Sequence, residues 1–184
     1  ATLTSKIAKG LNGTLRLGQE VYDKRVKDVG VLGSQLSIYN FFNLGNAKVL
    51  TPSQTITEKR LVGYFGEATF DYNNYLFLTL TGRNDITSTL PRDNRSFFYP
   101  SASLSYVFSD HLKLPTSISQ AKLRLSYAQI GKDAVEYATS SGFTNYINLP
   151  TGTTGLTISS NLGNPTLRPE FTNSFEAGLE MSFF

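Results

Sequence analysis

Hydrophobic and polar residues alternate from Leu61 to Ile86 in two runs that a short polar stretch separates. In the first run, residues 62, 64, 66, 68, 70 and 72 share one face and are small, apolar or aromatic. In the second run Leu76, Leu78 and Leu80 share one face, and the opposite face carries hydroxyl and charged groups. Because successive side chains of a strand point to opposite sides, each run predicts a strand with one apolar and one polar face.

The turn between these strands follows from matching their faces. A two-residue Asn73-Asn74 loop would place apolar residues of one strand beside polar residues of the other, since a one-residue shift exchanges the faces. A three-residue loop that also includes Tyr75 pairs Tyr72 with Leu76 and keeps both faces uniform. We therefore predict the three-residue loop, with an asparagine in the left-handed conformation that such loops need.

Similar alternation predicts more strands elsewhere in the chain. These are Thr2 to Ala8, Thr14 to Asp23, Ser101 to Ser109, Lys122 to Ile130 and Ser174 to Phe183. The remaining segments are predicted to be connections: Lys24 to Lys59, Thr87 to Phe98, Asp110 to Gln120 and Gly131 to Asn173. If the strands run up and down, the two longest connections and the charged one meet at the same end.

Long loops at one end and short turns at the other are typical of an outer-membrane β-barrel. Apolar runs of about 9 to 11 residues also suit one membrane crossing each. The polar faces would then line a wet lumen, where charged side chains are tolerated. The residues assigned to the lumen are Glu67, Arg83, Asp85, Arg124, Glu176 and Glu180. A soluble β-sandwich with one wet face shows the same alternation and stays open as an alternative.

Composition removes several classes of function. A net charge of +3 is too small to indicate nucleic-acid binding, and the absence of cysteine excludes disulfides, thiolate catalysis and cysteine metal sites. The only histidine, His111, is adjacent in sequence to Ser109-Asp110, where three side chains cannot easily converge into a triad. We therefore expect no enzyme activity, no cofactor and no metal site, and we expect His111 in a turn.

Four stretches resemble the C-terminal barrel region of the SusC/RagA family of TonB-dependent outer-membrane transporters. They are GYFGEATFDYNNYLFLTLTGRNDITST, FFYPSASLSYVFSD, KLRLSYAQIGK and NPTLRPEFTNSFEAGLEMSFF. Together they cover roughly residues 61 to 184 in the family's order and spacing. The first contains the Arg-x-Asp signature at Arg83 and Asp85, which we interpret as a structural pair rather than a substrate site.

The resemblance implies an all-β, antiparallel, up-and-down transmembrane barrel of about 22 strands. This chain would supply six or seven of them, as a partial barrel domain over residues 1–184 of a longer protein, without the plug domain. The resemblance also implies the outer membrane of a Gram-negative bacterium, energy delivered through TonB, a SusD-like surface lipoprotein, and an oligosaccharide or peptide nutrient. A passive porin-type barrel and a soluble carbohydrate-binding β-sandwich module are the alternatives.

Aromatic side chains near the long loops are the candidates for contact with a sugar or peptide, because ligand sites are rich in such residues. They are Phe97, Phe98, Tyr99, Tyr137, Phe143 and Tyr146. The competing interpretation for each is loop packing or anchoring at the membrane interface.

Overall fold

The computed structural model describes residues 1–146 and 155–183, which form nine β-strands and one short 3₁₀ helix at Leu44–Asn46. The strands are β1 (Thr2–Ala8), β2 (Leu11–Leu36), β3 (Ala47–Tyr72), β4 (Leu76–Thr87), β5 (Ser96–Val107), β6 (Ile118–Lys132), β7 (Phe143–Tyr146), β8 (Gly155–Ile158) and β9 (Glu170–Phe183). Within these ranges no helix is long and apolar enough to span a membrane.

Seven of the strands form a single antiparallel sheet in the order β1-β2-β3-β4-β5-β6-β9. Strands β7 and β8 form a separate hairpin between β6 and β9. Neighbours in the large sheet are therefore consecutive along the chain apart from this hairpin. The prediction of six or seven up-and-down strands is confirmed.

The register of the central hairpin is the predicted one. Tyr72 is opposite Leu76, and the ladder continues from there to Leu61 opposite Thr87. Both Asn73 and Asn74 have positive φ angles, 49° and 60°. The backbone N–H of Asn74 also donates to Asp71 Oδ1 at 2.9 Å, which stabilises the three-residue loop.

The region predicted as a long connection, Lys24 to Lys59, is instead mostly strand. Strands β2 and β3 have 26 residues each and pair as far as Leu36 opposite Ala47. The prediction was wrong because it required an apolar face, whereas here polar and charged residues follow one another on both strands. Cross-strand ion pairs support the pairing instead. They are Asp23 with Arg60, and Arg25 with Glu58 at 3.2 Å.

Other strand boundaries also extend beyond the alternating runs. Strand β5 begins at Ser96, so the connection from β4 covers only residues 88–95, and the predicted connection from Gly131 to Asn173 contains the β7–β8 hairpin and the start of β9. These extensions pair through backbone hydrogen bonds, which need no apolar side chains.

The connections lie at the ends that the up-and-down order predicts, but their lengths overlap, since residues 37–46 and 88–95 at one end are no longer than residues 108–117 at the other. Residues 9–10, 73–75 and 108–117 join strands at one end of the sheet, and residues 37–46 and 88–95 join strands at the other, where β6 also ends and β9 begins. His111 lies in the connection 108–117, as expected, with its ring stacked on Tyr75 at 4.6 Å between centroids. We call the end where β6 ends and β9 begins the loop end.

The apolar face of the sheet is largely uncovered. One row across four strands consists of Leu78, Leu104, Leu125 and Ala177. In the described part of the chain only three hydrophobic residues are buried: Leu90, Phe97 and Ala121. No second large sheet packs on this face within those ranges, so the molecule lacks the two-layer core of a β-sandwich.

Candidate functional site

A hydrogen-bonded network on the polar face joins three strands near the loop end. Arg83 Nε donates to Asp85 Oδ1 at 2.8 Å, and Arg83 Nη1 donates to Glu20 Oε2 at 3.0 Å. Tyr99 completes the network by donating its hydroxyl to Asp85 Oδ2 at 2.7 Å. Asp85 is only 5% exposed, and a buried carboxylate needs partners of this kind. Arg83 and Asp85 thus form the expected pair.

Gly63 creates the space that the network occupies. It lies between Glu20 on β2 and Asp85 on β4 in the strand register. A Cβ atom at this position would come within 2.7 Å of both Arg83 Nη2 and Asp85 Oδ1. A glycine here is what allows the arginine side chain to cross β3 and reach Glu20.

The six residues assigned to a lumen share one face of the sheet. The register places Glu67 opposite Arg16, with which it forms an ion pair. Arg124 Nη2 lies 2.7 Å from Glu180 Oε1, and Glu176 lines a polar concavity beside Arg124. All six side chains occupy alternate positions from those of the leucine row. Their exposure to a lumen remains a prediction.

The first residues after β6 fold back over the same face, and we call residues 133–137 the strap. Asp133 is the main anchor: Lys59 Nζ lies 2.7 Å from Oδ2, and Thr87 and Thr89 donate hydroxyl hydrogens to the same oxygen at 2.7 and 3.2 Å. Burial raises the pKa of Asp133, but the hydrogen bonds from Lys59, Thr87 and Thr89 outweigh it and the pKa is lowered.

The far end of the strap reaches β3 and β2. Glu136 accepts a hydrogen bond from Lys24 Nζ at 3.2 Å. The Tyr137 hydroxyl accepts from the backbone N–H of Glu58 at 3.0 Å and donates to the carbonyl of Ile56 at 3.4 Å. Strand β3 has no β4 partner beyond Leu61, so Tyr137 satisfies backbone groups on an otherwise open edge. The strap thereby connects β6 to a strand four positions away in the sheet.

The six aromatic ligand candidates are not brought together. Phe97 is 6% exposed and packs edge-on against Phe171, and Phe98 lies on the opposite face against Gly82. Tyr99 and Tyr137 use their hydroxyls in the network and the strap.

The hairpin holds the last two candidates. Phe143 is exposed on β7, and the backbone of Tyr146 ends that strand while its side chain lies outside the described residues. The ligand roles of all six candidates remain predictions.

Sequence reasoning missed two parts of this face. The strap anchors Lys59 and Asp133 are 74 residues apart, and no local pattern reports such a contact. Phe65 lies on this face opposite Arg83, and the alternation gave no reason to expect a ring there. The signal that could have found it is Gly18 directly opposite in the register, because a ring can extend across a residue that has no side chain.

Residues 3–184 match the family model of the TonB dependent receptor-like β-barrel. The chain belongs to this family. It is 32% identical over 130 residues to TonB-dependent receptor P26 of Formosa agariphila, covering 68% of this chain and 13% of that protein. It is 30% identical over 146 residues to TonB-dependent receptor SusC of Bacteroides thetaiotaomicron, covering 75% of this chain and 15% of that one.

Solved structures show the same fold. The chain superimposes over its full length on 21% of a chain in the structure of the RagAB peptide transporter, with a TM-score of 0.84 and 20% identity. It superimposes on 20% of a chain in the 'open-open' state of the RagAB peptide importer, with a TM-score of 0.81 and 21% identity. The chain therefore spans about one fifth or less of the relatives that it matches.

Proposed function

We propose that residues 1–184 are part of the barrel wall of a TonB-dependent transporter in the outer membrane of a Gram-negative bacterium. The transporter would import an oligosaccharide or peptide nutrient, with a SusD-like surface lipoprotein as partner and TonB as the source of energy. The observation that carries the proposal is the two-faced single sheet, which has leucine rows on one side and the Arg83 network, the wall ion pairs and the strap on the other.

This arrangement supports passage of a polar solute along the polar face. Lipid would cover the leucine rows, since each crossing strand needs an apolar exterior. The charged groups of the wall are mostly paired with one another, so a hydrated solute would meet a balanced surface rather than a field of one sign. Transport without chemical change of the solute is the activity we propose.

The nature of the nutrient and the partner rests on the relatives. One relative is named SusC, and the structural neighbours are described as a peptide transporter and a peptide importer. These names support a search for the nutrient among oligosaccharides and peptides. They also support the proposal that a SusD-like lipoprotein closes over the loop end.

Gene deletion tests the proposal directly. We expect a strain that lacks the full-length protein to lose growth on particular oligosaccharides or peptides as sole nutrient, and a plasmid copy to restore it. Deletion of TonB should abolish the same growth. Growth that depends on the protein but not on TonB would favour a passive porin-type barrel.

Cell fractionation tests the location and the partner. An antibody raised to this segment should detect a band in the outer membrane several times heavier than 20.3 kDa. A surface lipoprotein should be recovered with it in mild detergent. A soluble band near the mass of the segment would instead support the carbohydrate-binding module and overturn the transporter.

A further inference from the structure

A slot of about 450 Å³ opens on the polar face beneath the Arg83 network. It is separate from the strap, and Tyr99 is the one aromatic candidate of the loop end that lines it. Phe65, Arg83 and Tyr99 are neighbours in one row of the sheet and line one side of the slot, and the smaller Thr81 and Ser101 of the next row form its floor, with Glu67 beside Thr81 on β3. Its volume lies in the range of about 300 to 1,000 Å³ that small-ligand sites occupy.

Phe65 gives the slot an aromatic surface on a face that is mostly polar. Its ring extends across to β2, where a Cβ atom on Gly18 would lie 2.4 Å from Phe65 Cζ. The residue is still 41% exposed, and Arg83 Cζ lies 5.9 Å from the ring centroid. The ring is thus held along the wall with part of its surface open, which is the arrangement needed to stack against a flat apolar surface.

The floor of the slot and the charged residues beside it offer hydrogen-bonding groups to a ligand. The hydroxyls of Thr81 and Ser101 bond to each other across β4 and β5, and each oxygen keeps a further acceptor site. Glu67 uses Oε1 to contact Arg16, while Arg83 uses Nε and Nη1 in its network. Glu67 Oε2 and Arg83 Nη2 carry no hydrogen bond to other described residues.

The charges around the slot disfavour an anionic ligand. Two guanidinium groups, Arg16 and Arg83, face three carboxylates, Glu20, Glu67 and Asp85, and all five take part in ion pairs. The surroundings therefore carry one net negative charge and no free cation to receive a carboxylate or sulfate. A neutral ligand avoids this repulsion.

The backbone around the slot disfavours an extended peptide. Peptides commonly bind by adding a strand to an open sheet edge. Here β3 and β4 are paired on both sides at Glu67, Thr81 and Arg83. Only side chains are available, and they combine an aromatic surface with hydroxyl and carboxylate groups.

We propose that this slot binds one ring of a neutral oligosaccharide, with the ring stacked on Phe65 and its hydroxyls bonded to Thr81, Ser101 and Glu67. A sugar ring has an apolar C–H face and polar edges, which match these groups. The proposal rests on the proposed transport function and specifies its substrate class. Phe65 is therefore assigned as a binding residue of the wall.

The test uses the full-length receptor in its own outer membrane, with labelled neutral hexasaccharides of glucose, mannose and xylose as probes. The probe with receptor-dependent uptake is then measured with Phe65→Leu. We expect the half-saturating concentration to rise about five- to tenfold, the amount expected from a lost stacking contact. Thr81→Val, which keeps the shape of the floor but removes a hydroxyl, should raise it in the same direction.

Phe77→Leu is the matched control, since Phe77 lies on the same face near the opposite end of β4. It should leave the half-saturating concentration unchanged. The amount of each variant receptor in the membrane should equal that of the unmodified receptor. An unchanged value for Phe65→Leu would overturn the slot. A second result would also overturn the slot: Phe65→Leu lets vancomycin enter the cell and keeps its affinity for the oligosaccharide probe. The Phe65 ring would then close a gap between the barrel wall and another part of the protein.

Receptor-dependent growth on peptides with no uptake of any neutral hexasaccharide would overturn the slot and leave transport standing. If the deletion strain still grows on both oligosaccharides and peptides, the transport function is overturned as well. The two failures are therefore distinguishable.

Discussion

The central hairpin and the β2–β3 ribbon above it are both antiparallel strand pairs, but their sequences look different. In the hairpin, residues 61–87, apolar and polar side chains mostly alternate because one face is largely apolar and the other largely polar. In the ribbon, residues 24–59, each face mixes polar residues with exposed apolar ones such as Val29 and Leu32, and the ion pair of Arg25 with Glu58 supports the pairing. The comparison teaches that alternation reports a difference between two surroundings, and it disappears where both faces meet water.

The largest expected effect comes from reversing the polarity of the hairpin's apolar face. Leu78→Arg should block assembly in the membrane, because an arginine facing lipid near the midplane costs about 2 to 4 kcal/mol. Thr79→Arg, one residue further and on the polar face, should assemble normally. The readout is the amount of full-length receptor in outer-membrane fractions. Equal loss for both variants would refute the assignment of the two faces.

The next effect concerns the strap, which is held by charge rather than by apolar burial. Asp133→Asn should weaken the strap by about 1.5 to 3 kcal/mol, since hydrogen bonds to a charged group are lost. Hydrogen exchange of residues 133–137 in the full-length receptor should accelerate accordingly. Glu136→Gln is the control and should have a smaller effect, because its single contact is at the far end. Unchanged exchange in Asp133→Asn would show that other contacts hold the strap.

The same anchor predicts a dependence on pH. The pKa of Asp133 is lowered in the folded protein, so its stabilisation is complete above the unfolded value of about 3.9. It is lost as the pH falls through the lower folded value. Protease cleavage at the strap should therefore increase only below about pH 4. Cleavage that rises already between pH 7 and 5 would contradict this anchor.

Gly63 provides a further test within the hairpin, because its missing side chain leaves room for the Arg83 network. Gly63→Ala should cost about 1 to 3 kcal/mol, because the added methyl group displaces the Arg83 side chain or the buried Asp85. Gly66→Ala is the matched control, since its Cβ would lie 3.2 Å from the flexible end of Leu17. The heat-induced unfolding temperature of the purified receptor measures both. A larger loss in the control would contradict the role given to Gly63.

The smallest effect is expected in the ribbon. Arg25 and Glu58 are both more than half exposed, so a double-mutant cycle with alanine should give a coupling of only about 0.2 to 1 kcal/mol. High salt should reduce the coupling further. A coupling above 2 kcal/mol would mean that the ribbon depends on individual ion pairs more than on its backbone ladder.

The sequence was most informative where side chains had to satisfy two surroundings at once. The Tyr72–Leu76 register and a left-handed asparagine in the turn followed from the faces and the turn chemistry alone, and the structure has positive φ at both Asn73 and Asn74. The length of β2 and β3 did not, because a paired polar ribbon imposes no periodicity. The strap could not be predicted either, since Asp133 meets Lys59 only after strands β3 to β6 have paired.

The strap also has a consequence for how the chain folds. The Lys59–Asp133 contact closes a loop of 74 residues, whereas the turn at residues 73–75 closes one of a few residues. Closure of the longer loop loses more conformational entropy, and this loss comes before the contact can stabilise the chain. The sheet from β3 to β6 must therefore be in register first. The strap would then form late in folding, and only in molecules whose strands have already paired in the correct register.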